Sequence, residues 1–365
     1  MQTNPFKFGS VVDAPFFINR KDELKAVTEV INSNNHLVII SPRRFGKTSL
    51  VYKVLKNSSR KAVVLNLQFS NSIEDFAAQY LKQIYRLFPV THLKQKIKNF
   101  RVLPSLSLNP VNGDMEISFK PGSNQGPLLE DVLNLLEELS SSTKRSIVVL
   151  DEFQEIKRID KSMDRKLRSI LQNHKCVNYV FLGSQESMMR NIFERKNSPF
   201  YHFSQLMQLE KIKKEHFVAF ISKNLQGFTS ENKRIAKEIV AFTDGHPYYT
   251  QQLSFMIWNL LKQDQSIEKP IDEAIAVHLR MHDYDYERLW INLKNTEKKV
   301  ISGLATNKKE PLTAAFLEAT NINATSTVFS SLKRLMTNGF VIQTNGKYEI
   351  DDPFFKYWII EKRSN

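Results

Sequence analysis

The feature that most constrains this chain is the segment Ser41–Ser49, which reads Ser-Pro-Arg-Arg-Phe-Gly-Lys-Thr-Ser. The apolar run Leu37–Ile40 precedes it and an amphipathic pattern follows it, so it predicts a turn between a buried strand and a helix. Gly46 permits a backbone conformation that side chains disfavour, and the helix N-terminus presents backbone N–H groups. Such a turn is suited to hold an anion, and the Lys-Thr pair at its end favours a phosphate group.

The spacing matches the P-loop of nucleotide-binding proteins, with Ser41 in place of the usual first glycine. A residue as small as serine is compatible with the loop. Lys47 is predicted to reach the β- and γ-phosphates of a nucleotide, and the Thr48 hydroxyl is predicted to ligate Mg²⁺. The residues predicted to line the nucleotide in this loop are Ser41, Pro42, Arg43, Arg44, Phe45, Gly46, Lys47, Thr48 and Ser49.

A second apolar run, Ile147–Leu150, ends in two carboxylates, Asp151 and Glu152. Acidic residues at the solvent edge of a strand are common, but beside a P-loop this arrangement indicates a Walker B element. Asp151 is then predicted to hold Mg²⁺, directly or through water. Glu152 is predicted to orient and polarise the attacking water, which makes it a catalytic residue together with Lys47.

The order of the patterns predicts three domains. Apolar strand runs alternate with amphipathic helices up to about residue 210, which indicates an α/β domain with a parallel sheet. A β-hairpin insertion is predicted at about 103–125, around Asn112-Gly113. Beyond about residue 210 the spacing is helical, and the chain ends in three short helices and a two-stranded wing around Asn345-Gly346. The predicted domains are a P-loop core (1–210), a helical lid (211–290) and a winged helix (291–365).

Composition narrows the class of protein. The 365 residues are 41% hydrophobic and 25% charged, which is typical of a folded domain. A single cysteine, Cys176, excludes an internal disulfide framework. No apolar run is long enough to span a bilayer, and the N-terminus has no apolar signal core. These features predict a soluble, cytoplasmic protein with no membrane partner.

The net charge is +14, and it is unevenly distributed. Residues 1–100 carry sixteen Lys and Arg against six Asp and Glu, and no acidic residue occurs from Phe76 to Gly113. A basic field of this kind attracts polyanions such as double-stranded DNA. A solvated helix face that keeps the protein soluble is the alternative interpretation.

These motifs together resemble the archaeal-type ATPases of the AAA+/STAND superfamily and, more distantly, the origin-recognition-type initiators. The resemblance covers nearly the whole chain. The stretches that carry it are Phe17–Leu24, Ser41–Leu50, Leu150–Glu155, Phe181–Ser184, Thr243–Pro247 and Asp352–Trp358.

The resemblance implies ATP and Mg²⁺ as ligands, and further site residues. Arg20 closes the entry segment that packs near the adenine in the family. Ser184 matches the sensor-1 position, whose side chain contacts the γ-phosphate or the attacking water; a serine that caps the next helix is the alternative. Pro247 matches the Gly-x-Pro element of the family's lids, and a plain turn between helices is the alternative there.

One departure from the family concerns an arginine. Members often carry one shortly after a Ser-Pro-hydrophobic-Tyr run, whereas here Ser198–Tyr201 continues into His202. An arginine finger is worth about 10³–10⁵ in rate. The candidates to replace it are Arg43, Arg44, Arg190 and Arg195, and the sequence does not choose among them.

Ser326–Thr337 lies where a winged helix carries its recognition helix. Val328, Leu332 and Leu335 form an apolar stripe. The residues predicted to face outward are Thr327, Ser330, Ser331, Lys333 and Arg334. Hydroxyl and basic groups suit contacts to double-stranded DNA, but winged helices also dock proteins, so both interpretations stay open.

The leading prediction is a Mg²⁺-dependent ATPase, with an intrinsic rate that the absent arginine lowers, acting as a nucleotide-driven switch on DNA. The alternative is a nucleic-acid- or protein-binding regulator that holds ATP without significant hydrolysis. A protein partner and a homo-oligomer are both compatible with the motifs.

Overall fold

The structure is a computed structural model that describes residues 3–108, 115–306, 310–344 and 346–363. They divide into two units, residues 20–209 and residues 1–19 together with 210–365. Each unit encloses its own cluster of buried apolar side chains. Residues 3–19 thus belong with the second unit, where Phe6 is buried and Asn4 donates to the Phe255 carbonyl oxygen over 3.0 Å. The predicted boundary between lid and winged helix stays a prediction.

The first unit is built on a parallel sheet. The strands of the unit are β1 (Leu37–Ile40), β2 (Ala62–Asn66), β3 (Ser105–Leu108), β4 (Met115–Ser118), β5 (Ser146–Asp151), β6 (Val177–Gly183) and β7 (Gln205–Gln208). Five of these strands form the parallel sheet, in the order β2-β5-β6-β1-β7. Every residue of β1, β5 and β6 is buried, because helices cover both faces of a parallel sheet. The predicted α/β class is confirmed.

The helices of this unit connect the strands. They are α1 (Lys21–Asn32), α2 (Lys47–Lys56), α3 (Ile73–Leu87), α4 (Val90–Ile97), α5 (Gln125–Leu139), α6 (Ile156–Ile159), α7 (Met163–Leu171) and α8 (Glu186–Phe193). The register pairs Ile40 with Gly183 and Leu150 with Phe181. The carboxyl ends of β1, β5 and β6 therefore meet at one edge of the sheet, where open α/β sheets bind their ligands.

The insertion forms the predicted hairpin. β3 pairs with β4 in antiparallel register, with Ser105 opposite Ser118 and Leu108 opposite Met115. The Asn112-Gly113 turn lies outside the described residues.

The second unit is mainly helical. It contains α9 (Lys214–Leu225), α10 (Asn232–Thr243), α11 (Pro247–Gln263), α12 (Pro270–Ile291), α13 (Asn295–Thr306), α14 (Ala314–Thr320), α15 (Thr325–Thr337), β8 (Val341–Thr344), β9 (Lys347–Ile350) and α16 (Pro353–Arg363). β8 and β9 are antiparallel, so three short helices and a wing follow one another as a winged helix requires. Asn345, in the predicted turn of the wing, is not described. Within the described ranges, none of the helices has the length and apolarity to cross a membrane.

Three aromatic side chains of the segment Asp352–Trp358 pack into the core of the second unit. Phe354, Phe355 and Trp358 on α16 are buried. Trp358 Nε1 also donates a hydrogen bond to Asp283 Oδ1 over 2.7 Å, which joins α16 to α12.

Candidate functional site

The P-loop connects β1 to α2, and two of its residues have a left-handed backbone conformation. Arg44 has φ +64° and Gly46 has φ +92°. No atom lies within 4 Å of the position that a Cβ at Gly46 would occupy, so the backbone conformation itself, rather than crowding, requires glycine there. The loop is followed directly by α2, a helix of ten residues, so the N-terminus of this helix lies at the loop.

Lys47 closes the loop through its own ammonium group. Nζ donates to the carbonyl oxygens of Ser41 over 2.9 Å and of Pro42 over 3.1 Å. The side chain is buried, and in the described part of the chain no carboxylate lies within ion-pair distance of it. Burial lowers the pKa of Lys47 to about 8, against the opposing effect of Glu152 and Asp151. One of its three donor hydrogens has no acceptor among the described residues, so the site fits a phosphate oxygen.

Thr48 and Asp151 form a preassembled pair of oxygen ligands. Thr48 Oγ1 donates to Asp151 Oδ2 over 2.8 Å, and Asp151 Oδ1 accepts from the Glu152 backbone N–H over 2.9 Å. Burial raises the pKa of Asp151, and the hydrogen bond from Thr48 opposes that rise. One hydroxyl and one carboxylate fit Mg²⁺, which commonly takes its other ligands from phosphates and water.

Glu152 is held from two sides. Its backbone is left-handed, with φ +53°. Ser184 Oγ, just past the end of β6, donates to Glu152 Oε2 over 2.6 Å, and Gln154 Nε2 donates to the same oxygen. Two hydrogen bonds of 3.3 Å join Gln154 to Ser184. Gln154 Nε2 donates to Ser184 Oγ, and the Ser184 backbone N–H donates to Gln154 Oε1. Glu152 Oε1 has no partner in the part of the chain that the structure describes.

Gln154 is the residue of this network that the sequence analysis did not identify. It is buried and lies in a short 3₁₀ turn, Phe153–Glu155. The only signal was its position two residues after Glu152, which does not by itself indicate which way an amide points.

Arg20 contacts the P-loop. Its guanidinium donates to the Phe45 carbonyl oxygen over 3.2 Å and to Glu23 Oε1 over 2.7 Å, and the side chain is buried. The Phe45 ring is itself buried, so at this residue the loop presents backbone. A place for Arg20 beside adenine stays a prediction.

Other predicted loop residues differ in exposure. Arg43 and Arg44 are exposed, Pro42 is half-buried, and Ser41 and Ser49 are buried. Pro247 lies in the second unit as the first residue of α11, after Asp244 and Gly245, which both have positive φ. Its contact with a nucleotide stays a prediction.

The candidate arginines are not equivalent. Arg190 is fully engaged, because its guanidinium binds Glu186, Glu194 and Gln208. Arg195 follows α8, is exposed, and has no side-chain partner within the described ranges.

The prediction that Ser331 and Arg334 face outward on α15 is wrong for Ser331, and it did not include the ion pair that Arg334 makes. Ser331 is fully buried. Arg334 Nε pairs with Glu297 Oε1 over 2.6 Å, and Glu297, on α13, is buried. Ser330 and Lys333 are exposed, as predicted. Ser326 and Phe329 are exposed as well, and Phe329 is 53% exposed. The Arg334 side chain is 42% exposed but is paired with Glu297, so Lys333 is the unpaired cation of α15 among the described residues.

Comparison with known proteins agrees with this geometry. The chain matches the family described as the ATPase domain predominantly from Archaea over residues 17–253, and a probable winged helix domain over residues 284–361. An uncharacterized protein of Methanocaldococcus jannaschii is 25% identical over 293 residues, which cover 79% of this chain and 54% of that protein. An uncharacterized ATP-binding protein of Pyrococcus horikoshii is 27% identical over 186 residues, which cover 48% and 53%. The chain thus spans about half the length of these curated relatives.

Two solved structures share the fold. The Walker-type ATPase of Pyrococcus abyssi aligns with a TM-score of 0.68 and 15% identity, over 97% of this chain and 99% of that one. The ORC1 protein of Aeropyrum pernix, solved in complex with DNA, aligns with a TM-score of 0.53 and 12% identity, over 100% and 98%. The predicted P-loop ATPase fold with a winged helix is confirmed, and the family match covers more than half of the sequence. The chain therefore belongs to the family of ATPase domains found predominantly in Archaea.

Proposed function

We propose that this chain binds ATP with Mg²⁺ and hydrolyses it. The observation that carries the proposal is the meeting of three strand ends at one edge of the sheet. There β1 leads to Lys47, β5 ends in the carboxylates Asp151 and Glu152, and β6 leads to Ser184. Family membership supports the same chemistry.

Binding is assigned to the loop and the ligand pair. The spare donor of Lys47 and the N-terminus of α2 face the phosphates, while Thr48 and Asp151 hold Mg²⁺. When bound, Mg²⁺ neutralises charge on the phosphate oxygens. Arg20 keeps the loop in its binding conformation through the Phe45 carbonyl oxygen.

Hydrolysis is assigned to Glu152. Ser184 and Gln154 occupy Oε2 of that carboxylate, so Oε1 is the oxygen left to accept a hydrogen from the attacking water. A carboxylate fixed in this way orients the water before reaction and avoids the cost of ordering it during the step. Because Ser184 already contacts the carboxylate, we assign it to positioning in this state, and its contact with the γ-phosphate stays a proposal.

A second candidate function is that of a regulator which holds ATP and barely hydrolyses it. The arginine common in the family after the Ser-Pro-hydrophobic-Tyr run is absent, since that run continues into His202 and Phe203. Arg190 is committed to Glu186, Glu194 and Gln208. Without an arginine finger beside Lys47, turnover is expected to be slow, or to require an arginine from a protein partner or a second copy.

We also propose double-stranded DNA as a partner of the switch. Among the basic residues between Phe76 and Gly113, Lys96 and Arg101 are paired with acidic side chains. Arg86, Lys94 and Lys98 are exposed and have no side-chain partner in the described residues. These three side chains of the first unit are available for phosphate contacts, and in the second unit Lys333 on α15 is a separate exposed cation.

Phosphate release from ATP tests the assignment of the loop. We expect Mg²⁺-dependent release by the native protein and none above background in Lys47→Ala. Lys56→Ala, an exposed lysine on the same helix, is the matched control and should keep the native rate. Equal rates in all three proteins would contradict the assignment.

A further inference from the structure

A groove of about 590 Å³ lies in the first unit beside the candidate site, and no residue of the P-loop lines it. Arg165 of α7, Met188 and Asn191 of α8, and Arg195 in the segment that follows α8 contribute to its walls. Gln154 also lines it. The groove and the candidate catalytic carboxylate thus share one residue, since Gln154 donates to Glu152.

The groove is cationic, and its arginines are available. Arg165 and Arg195 are exposed, and neither guanidinium has an ion-pair or hydrogen-bond partner among the described residues. Lys157 differs, because Asp164 holds it over 3.1 Å. Two unengaged guanidinium groups on a concave surface are suited to bind carboxylate or phosphate oxygens in bidentate fashion.

Other lining groups favour a polypeptide over a nucleic acid. Met188 is 40% exposed and Pro199 is partly exposed, so the groove offers apolar contacts between its charges. Asn191 and Asn197 add amides that can pair with a peptide backbone.

We propose that this groove binds an acidic segment of a polypeptide partner, with its carboxylates on Arg165 and Arg195. Gln154 connects the occupant to turnover, because its amide contacts both Glu152 and Ser184. The effect of the occupant on turnover rests on the proposed ATPase activity, whereas binding of the acidic segment does not.

The binding test uses a fluorescein-labelled hepta-glutamate peptide, followed by anisotropy in 150 mM salt. We expect affinity to fall roughly three- to tenfold in Arg165→Gln and in Arg195→Gln, and further in the double variant. Arg288→Gln removes an exposed arginine on α12, outside the groove, and should stay within about twofold of the native protein. A double variant that binds as well as Arg288→Gln would overturn the proposal.

Two further measurements test whether the occupant is a peptide or a nucleic acid, and whether its binding changes the rate of phosphate release. A labelled ten-nucleotide oligothymidine that binds more tightly than the peptide, and loses affinity in the same two variants, would overturn the proposal in favour of a nucleic acid. Saturating peptide is expected to change the rate of phosphate release at least about twofold in the native protein and not in the double variant. Unchanged release by an active enzyme would overturn the coupling through Gln154. Absence of any ATP turnover would contradict the proposed function alone, because the anisotropy result is independent of it.

Discussion

Ser184 Oγ donates a hydrogen bond to Glu152 Oε2 over 2.6 Å, between residues that are 32 positions apart in the sequence. Adjacent parallel strands make this contact possible, since β5 and β6 end at the same edge of the sheet. A strand-end serine, which the sequence also allows as a helix cap, here fixes the orientation of a carboxylate.

Ser184→Ala should therefore lower the turnover number and leave the KM for ATP nearly unchanged. The loss of one hydrogen bond to a charged group predicts a decrease of roughly 10- to 100-fold. Steady-state phosphate release at varied ATP measures both constants, and Ser184→Thr should recover most of the rate by restoring the hydroxyl. A rise in KM alone would assign Ser184 to nucleotide binding instead.

Lys47 predicts a pH dependence of stability. Its folded pKa of about 8 lies below the ordinary value of 10.5, so the unfolded chain binds more protons between these two values. Stability of the nucleotide-free protein should consequently rise with pH through this window, and the contribution of Lys47 is about 3 kcal/mol at most. Urea unfolding at pH 8 and pH 10 should show this rise in the native protein relative to Lys47→Met. An identical rise in both proteins would contradict the lowered pKa of Lys47 in the folded state.

The two cations of α15 should have separable roles. Arg334→Ala leaves the buried Glu297 carboxylate with only the Lys294 backbone N–H as a partner and should reduce the free energy of unfolding by about 1–3 kcal/mol. Lys333→Ala removes an exposed charge and should leave stability unchanged. If α15 contacts DNA, Lys333→Ala should also reduce the slope of log K against log salt by about 0.9. Urea unfolding and duplex-binding titrations check the two effects, and a native salt slope in Lys333→Ala would exclude this lysine from the interface.

The parts of the site that are local in sequence could be predicted. The P-loop and the two carboxylates after β5 each lie within a few residues of an apolar strand, so periodicity and residue type locate them. Strand order could not be derived in this way, but the carboxyl ends of parallel strands share an edge whatever the order.

The rest depends on tertiary contacts. The orientation of Gln154 follows from the left-handed backbone at Glu152 and from Ser184, which lies just past the end of β6. The apolar stripe of α15 gave the direction of its buried face but not its width, so Ser331 was assigned to the wrong side. The partner of Arg334 lies 37 residues away, and charge counting cannot distinguish a paired arginine from a free one.

The most direct test of the central claim compares the native protein with Glu152→Gln in two assays, ATP·Mg²⁺ binding by calorimetry and steady-state phosphate release. We expect the variant to bind ATP about as tightly as the native protein, because Lys47, Thr48 and Asp151 are intact, and to lose nearly all turnover. Glu138→Gln, an exposed glutamate of α5, should match the native protein in both assays. Native turnover in Glu152→Gln would contradict the assignment of Glu152 as the residue that activates water.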